Sequence, residues 1–284
     1  MILDVIKDTL IDGIKLLPFL FLTYLLMEYL EHRTGEKVKA FIKKSGRSGP
    51  FWGSLLGAFP QCGFSAAASS LYSGRIITLG TLIAIYLSTS DEMLPILISE
   101  RVSAVLMLKI LGIKILIGLI AGFIIDLIIR QKSADTGNEL RLEHICDHEH
   151  CICNEGNFVK SAVHHTLQVF LFIVIVTFII NILVELIGQQ NIEAFLSNKN
   201  ILSIFLSGLI GLIPNCAASV VVTQMYLKGV LSFGAMMAGL LVGAGVGLLV
   251  LFRTNDSVKE NLKITLILYV VGVLAGFLIS LLFS

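Results

Sequence analysis

Two short motifs hold most of the chemistry available to this chain. Pro60-Gln61-Cys62-Gly63 and Pro214-Asn215-Cys216-Ala217 each break an apolar stretch with a proline, an amide and a thiol. Backbone freed at membrane depth is tolerated only where protein or a water-filled cavity surrounds it. Half-helix ends meeting at such a break bring partial charges of both signs to one place. Cys62 and Cys216 add one soft ligand each, while Gln61, Asn215, Ser65 and Ser219 add neutral oxygens and amides. Taken singly, either tip reads equally well as a proline kink with small residues for close helix packing. Paired, and with cysteine in both, they point to a binding site.

The second constellation is Asp91-Glu92, preceded by Ser88-Thr89-Ser90 and followed by Pro95. Carboxylates inside an apolar run are expensive and functional by default. The serines and proline interrupt the local helix, so free carbonyls are expected beside the acids, with Ser90 as a further ligand. Such oxygens suit a hard or borderline dication such as Mn2+, whereas thiolate leans towards softer ions. Crowded carboxylates also favour a proton as counter-ion. The plainer alternative is an acidic pair at a loop end nearer the surface.

A third cluster, His144, Cys146, His148, His150, Cys151 and Cys153, lies in the one long polar stretch. Its Cys-x4-Cys-x-Cys pattern is not a zinc-finger spacing, so no folded module is implied. As a flexible tract, imidazole and thiolate together suit Zn2+-like or soft ions. The competing reading is a hydrophilic linker.

The elements that must position these groups follow from composition. Of 284 residues 56% are hydrophobic and only 14% charged, against about 25% charged in soluble domains. Apolar stretches recur at on the order of 20 residues, enough to cross a bilayer. The expected class is an all-α polytopic protein, multi-pass in the cell (inner, cytoplasmic) membrane, with lipid as its surroundings. A net charge of +1 without a basic face argues against nucleic acid. Five cysteines are an odd number with no disulfide framework. Asp4, Lys7, Asp8 and Asp12 do not make the basic start of a cleaved signal peptide. No His-Glu-x-x-His is present, so an enzyme is not expected.

The apolar segments run 14–30, 51–72 (broken at Pro60), 76–98 and 102–129. They then restart at 167–187, 201–226 (broken at Pro214), 231–252 and 262–283. An offset of 154 aligns the two series without a gap. It pairs Gly57 with Gly211, Pro60 with Pro214, Cys62 with Cys216, Ser65 with Ser219, Tyr72 with Tyr226, and Gly118 and Gly122 with Gly272 and Gly276. Glycine, proline, cysteine and tyrosine holding one register over this distance read as a duplication. Asp91 falls on Gly245, so negative charge enters the site from one half only. Three regions follow: a first membrane repeat over 1–130, a polar His/Cys-rich cytoplasmic loop over 131–160, and a second membrane repeat over 161–284.

Linker 33–50 is rich in Lys and Arg, whereas its counterpart near 187–200 has only Lys199. By the orientation rule the two lie on opposite sides. Opposite sides require inverted repeats with an odd number of segments each. Phe51–Phe59 and Cys62–Tyr72 are each about ten residues, roughly 15 Å of helix, enough to reach the midplane and return. Two inverted repeats of five segments, each containing a re-entrant or broken helical hairpin, satisfy the count. If each broken stretch instead spans as one kinked helix, the repeats have four segments and are parallel.

On the Pro60–Ser65 motif, the Ser90–Pro95 run, Pro214–Ala217 and the His/Cys loop, the chain resembles a bacterial and archaeal family of ten-helix heavy-metal exporters, labelled arsenic efflux proteins or manganese transporters. The resemblance spans nearly the whole chain and implies export of a metal or metalloid. It implies no resident cofactor, only the transported ion. The residues favour a divalent ion such as Mn2+. Arsenite efflux, favoured by the cysteines, stays open, as does organic-anion transport, which half-helix N-termini would suit. A homodimer is one assembly the sequence leaves open.

Single cysteines at Ser45 and Ser197, in a background without the native ones, test the orientation. Labelled from outside intact cells, Ser197→Cys should react and Ser45→Cys should not; equal labelling would favour the parallel arrangement.

Overall fold

A computed structural model describes residues 14, 17–18, 21–22, 25, 48–58, 62–90, 93–133, 163, 166–167, 170–171, 174–175, 178–179, 182 and 201–283, excluding the side chains of Cys62, Pro95, residues 130–133, Cys216, Ala217 and Phe283. No strand occurs among the described residues. The first half contributes α1 (Gly49–Gly57), α2 (Cys62–Ser73), α3 (Leu79–Ser88), α4 (Met93–Ser99) and α5 (Ala104–Ser133). The second contributes α6 (Ile201–Gly211), α7 (Cys216–Leu227), α8 (Phe233–Val242), α9 (Val246–Thr254) and α10 (Val258–Phe283).

Local chemistry at the helix ends recurs at the same offset of 154. Thr78 accepts from Thr81 N at 3.1 Å to start α3, and Ser232 accepts from Ala235 N at 3.2 Å to start α8. Such hydroxyls satisfy one of the orphan donors at a helix start. Thr89 N reaches Ile85 O at 2.9 Å where α3 stops, and Gly243 N reaches Gly239 O at 3.0 Å where α8 stops. The turn after α2 bonds Ile76 N to Leu71 O at 2.9 Å; the turn after α7 bonds Val230 N to Met225 O at 2.9 Å. Both close on a left-handed residue, Arg75 at φ 57° and Gly229 at φ 74°. A non-glycine in that region costs about 1 kcal/mol.

Among the described residues, three stretches are long and apolar enough to cross a membrane: Ala104–Ile129, Phe233–Thr254 taken across its break, and Val258–Leu282. Their surroundings differ. Only 28% and 33% of the first and last are buried, but 83% of Phe233–Thr254 is. Leu116, Ile120, Ile124 and Ile128 on α5, and Leu262, Leu266, Val270, Leu274 and Leu278 on α10, form exposed apolar stripes at helical spacing, as a lipid-facing surface requires. The broken helices α3 and α8 form the centre, buried from Gly80 to Ser88 and from Gly234 to Val242.

The sequence reading placed an interruption at 88–95, and α3 does end at Ser88 with α4 starting at Met93. It treated 231–252 as one unbroken segment with pliable glycines. There α8 instead ends at Val242 and α9 starts at Val246, after Gly245 at φ 53°. Glycine adopts that backbone without a Cβ clash, which is why a break fits there without any proline.

Packing is tightest at glycines. A Cβ on Gly276 would lie 2.7 Å from Gly234 O and 2.6 Å from the Ala238 Cβ; a Cβ on Gly122 would lie 2.6 Å from Gly80 O and 2.9 Å from the Ala84 Cβ. The outer helices α5 and α10 thus meet the central helices α3 and α8 backbone to backbone. Of the remaining helices, two cross between halves: α1 stays on α3 and α5 of its own half, whereas α2 packs chiefly on α9. Likewise α6 lies on α8 and α10, while α7 reaches α4 as well as α8.

Gly276→Val should lower the thermal midpoint of the purified protein by several degrees, as overpacking costs about 1–3 kcal/mol. Gly112→Ala, where the added Cβ meets nothing within 4 Å, should leave it unchanged or raise it.

Candidate functional site: the meeting point of the broken helices

The strongest polar anchors at the centre come from α5. Lys114 is 1% exposed. Its ammonium donates to Thr89 O, at the end of α3, and to Leu240 O at 2.7 Å, near the end of α8. Both carbonyls belong to the unsatisfied last turn of a helix, where negative partial charge accumulates. One lysine therefore joins the C-terminal ends of the two central half-helices. Twelve residues on, about 18 Å along the helix, Asp126 serves the other end of α3. Its Oδ1 accepts from Gly80 N at 2.9 Å and its Oδ2 from Thr78 Oγ1 at 2.7 Å. Cation at the carboxyl end and anion at the amino end is the arrangement that lowers a helix's dipole energy.

Around this point lie the starts of the second half-helices. Ser65 is buried and its carbonyl accepts from Ser69 Oγ at 2.7 Å; Ser219 O accepts from Thr223 Oγ1 at 2.7 Å, the same bond one repeat later. Ser69 Oγ also lies 2.7 Å from Gly247 O and 2.7 Å from the Tyr86 hydroxyl, which itself lies 3.2 Å from Gly247 O. This knot ties α2 to the start of α9 and to α3. Ser90 Oγ donates to Ala58 O at 2.6 Å, joining the break after α3 to the end of α1. Asn215 is 4% exposed, its carbonyl accepting from Ala218 N at 3.2 Å to open α7. Ser65, Asn215 and Ser219 take part in further interactions.

Of the residues expected to bind an ion, Gln61, Asp91, Glu92 and the loop ligands His144, Cys146, His148, His150, Cys151 and Cys153 lie outside the described residues. Cys62 and Cys216 open α2 and α7, and their side chains are not described. No group of three or more His, Cys, Asp and Glu occurs among the described residues. Sequence reasoning missed Lys114, Asp126 and Tyr86. The signal for the first two was present: charges inside the apolar run 102–129 are functional candidates by the argument applied to Asp91.

At the rim, Arg75 grips Glu260 with two bonds, at 2.7 and 2.9 Å, and Tyr72 donates to the same carboxylate. That bond holds the Arg75 guanidinium still further above its ordinary range. Ser73 and Thr254 hydroxyls pair beside it at 2.7 Å. These contacts link the end of α2 and the turn after it to the end of α9 and the first turn of α10. With the Arg75 side chain 41% exposed, the pair contributes about 1 kcal/mol at most; its left-handed backbone is retained for this contact.

An all-helical, multi-pass membrane protein with paired broken helices is the class these features define. The ArsP_2 family model, described as "Putative, 10TM heavy-metal exporter", matches residues 1–187 and 154–283. The chain belongs to this family. No curated protein and no solved structure matches it significantly.

Asp126→Ala leaves the buried Gly80 N–H without its acceptor and should cost about 2 kcal/mol. Chemical or thermal unfolding in detergent checks this, with Asp126→Asn, which keeps an acceptor, expected to lose less.

Proposed function

We propose that this protein exports a divalent transition-metal ion, with Mn2+ the best match, across the inner cell membrane. The ion would bind at midplane depth between the tips Pro60–Gly63 and Pro214–Ala217, with Asp91 and Glu92 supplying the charge. Cys62, Cys216, Gln61, Asn215, Ser65, Ser219 and Ser90 complete the proposed ligand set. The observation that carries the shared site is the bond from Ser90 to Ala58. It joins the residue before Asp91 to the residue two before Pro60, deep inside the protein. Family membership supports metal export in general.

Alternating access needs two halves of opposite orientation, and the contacts along α5 favour this. Asp126, late in α5, caps the start of α3; Lys109, early in α5, stacks its ammonium 5.5 Å from the Phe233 ring at the start of α8. Equivalent helices thus begin at opposite ends of one spanning helix, which supports inverted repeats. Re-entrant hairpins have support too. Gly49 lies against Thr81 and Gly57 against Ser88, so α1 runs alongside α3 in the same direction. Since α2 ends only a short turn before Thr78, both legs of the first hairpin return to the side where α3 begins. The basic linker 33–50 assigns that side to the cytoplasm. Loop 131–160 would then gather metal by its His144–Cys153 tract, and a proton would serve as counter-ion.

Lys114 favours a second reading. A fixed positive charge beside the site suits a neutral or anionic metalloid better than a dication, and two thiols suit As(III).

Purified protein in liposomes, tested against a panel of ions, separates the two. Asp91→Asn should abolish Mn2+ movement, because the carboxylate offsets the ion's dehydration. Cys62→Ser should slow Mn2+ little, since Mn2+ accepts oxygen ligands, but should stop arsenite. Mn2+ transport that survives Asp91→Asn would remove the divalent reading. Deleting His144–Cys153 should weaken export only at low metal concentration.

A further inference from the structure

Lys114 does more than the dipole argument requires. A single helix C-terminus is commonly served by a cation at its own last turn. Here one ammonium from a third helix serves two ends, one from each half of the chain. Its counterpart at the offset of 154 is Leu268, fully buried and apolar, so the second half places no charge at the equivalent position. Buried charge is retained only when paired or hydrogen-bonded, and backbone carbonyls of two helix ends are among the partners of this ammonium. The same carbonyls are what a metal ion would seek: oxygen donors at the negative ends of helices, two residues from Asp91 in the case of Thr89.

We propose that Lys114 is the resident counter-cation of the transport pathway, neutralising the paired helix ends in the ion-free protein and yielding that role to the transported cation. The inference rests on the cation-export reading and deepens it. Two cations on one pair of carbonyls repel each other strongly at low dielectric, so ion entry drives the ammonium off and its return expels the ion. Lys114 thereby sets affinity low enough for release, which a site of two carboxylates and several carbonyls would otherwise resist. It also makes the ends of α3 and α8, bridged by the buried Lys114 side chain, the place where binding is felt by both halves.

The test compares wild type, Lys114→Met and Lys114→Arg in detergent, using Mn2+ alone as probe. Mn2+ affinity is read by calorimetry, and thermal midpoints are taken with and without the ion. Lys114→Met should bind Mn2+ about tenfold or more tightly, since it removes a like charge within a few ångströms of the ion. Its metal-free midpoint should fall, and Mn2+ should raise it further than it raises wild type. In liposomes the same variant should turn over more slowly than wild type. Lys114→Arg, which keeps the charge, should bind within about threefold of wild type. Lys114→Gln supplies the same comparison if the methionine variant does not fold. Unchanged or weaker Mn2+ binding by both uncharged variants, with a lowered midpoint that Mn2+ does not restore, would reduce Lys114 to a structural clamp. In that case, transport by wild type would leave the export reading standing. Wild type that neither binds nor moves any divalent cation would overturn both.

Discussion

The ammonium of Lys114 between the carbonyls of Thr89 and Leu240 is the interaction on which the centre of this protein depends. Helices α3 and α8 stop inside the protein and present their negative ends to each other. Unneutralised, two such ends in a medium of low dielectric would repel, and each would leave carbonyls without donors. One buried cation answers both problems at once. It comes from α5, a helix otherwise clothed in leucine and isoleucine facing outwards.

The rest of the architecture follows from allowing helices to end there. Because α3 and α8 are short, their amino ends need anchoring too. Asp126 and Thr78 anchor one and Ser232 the other. Because the breaks are buried, neighbours must approach closely there, as Gly118 does against Ala84 and Leu87 and Gly272 against Val242. The partner half-helices α4 and α9 begin beyond the breaks and are gripped from across the molecule, α9 by α2 and α4 by α7. Each half therefore completes the other's broken helix. The two halves share a single core, with the knot of Ser69, Tyr86 and Gly247 O near its middle.

Much of this was legible in the amino-acid order. The membrane class followed from composition, and helices α1, α2, α6 and α7 sit where proline and cysteine divide the apolar runs. The break at Thr89–Ser90 was readable because serines and a proline flank it. The break at Gly243–Gly245 was not, since a run of small apolar residues is equally compatible with a continuous helix; the left-handed Gly245 separates the two. The role of Lys114 was hidden for another reason. Two of its partners are backbone carbonyls 25 and 126 residues away, and no side-chain pattern marks a carbonyl as orphaned. Arg75 and Glu260 likewise pair across 185 residues.

Structure determination in lipid nanodiscs at saturating Mn2+ tests the account most directly. The central claim is that the ion and Lys114 contend for the same helix ends at the middle of the membrane. It predicts ion density among the two Pro-x-Cys tips and the break after α3, with the Lys114 ammonium withdrawn from the carbonyl of Thr89 or Leu240. Ion density confined to the polar loop or the membrane surface, with both carbonyls still bound to Lys114, would contradict it.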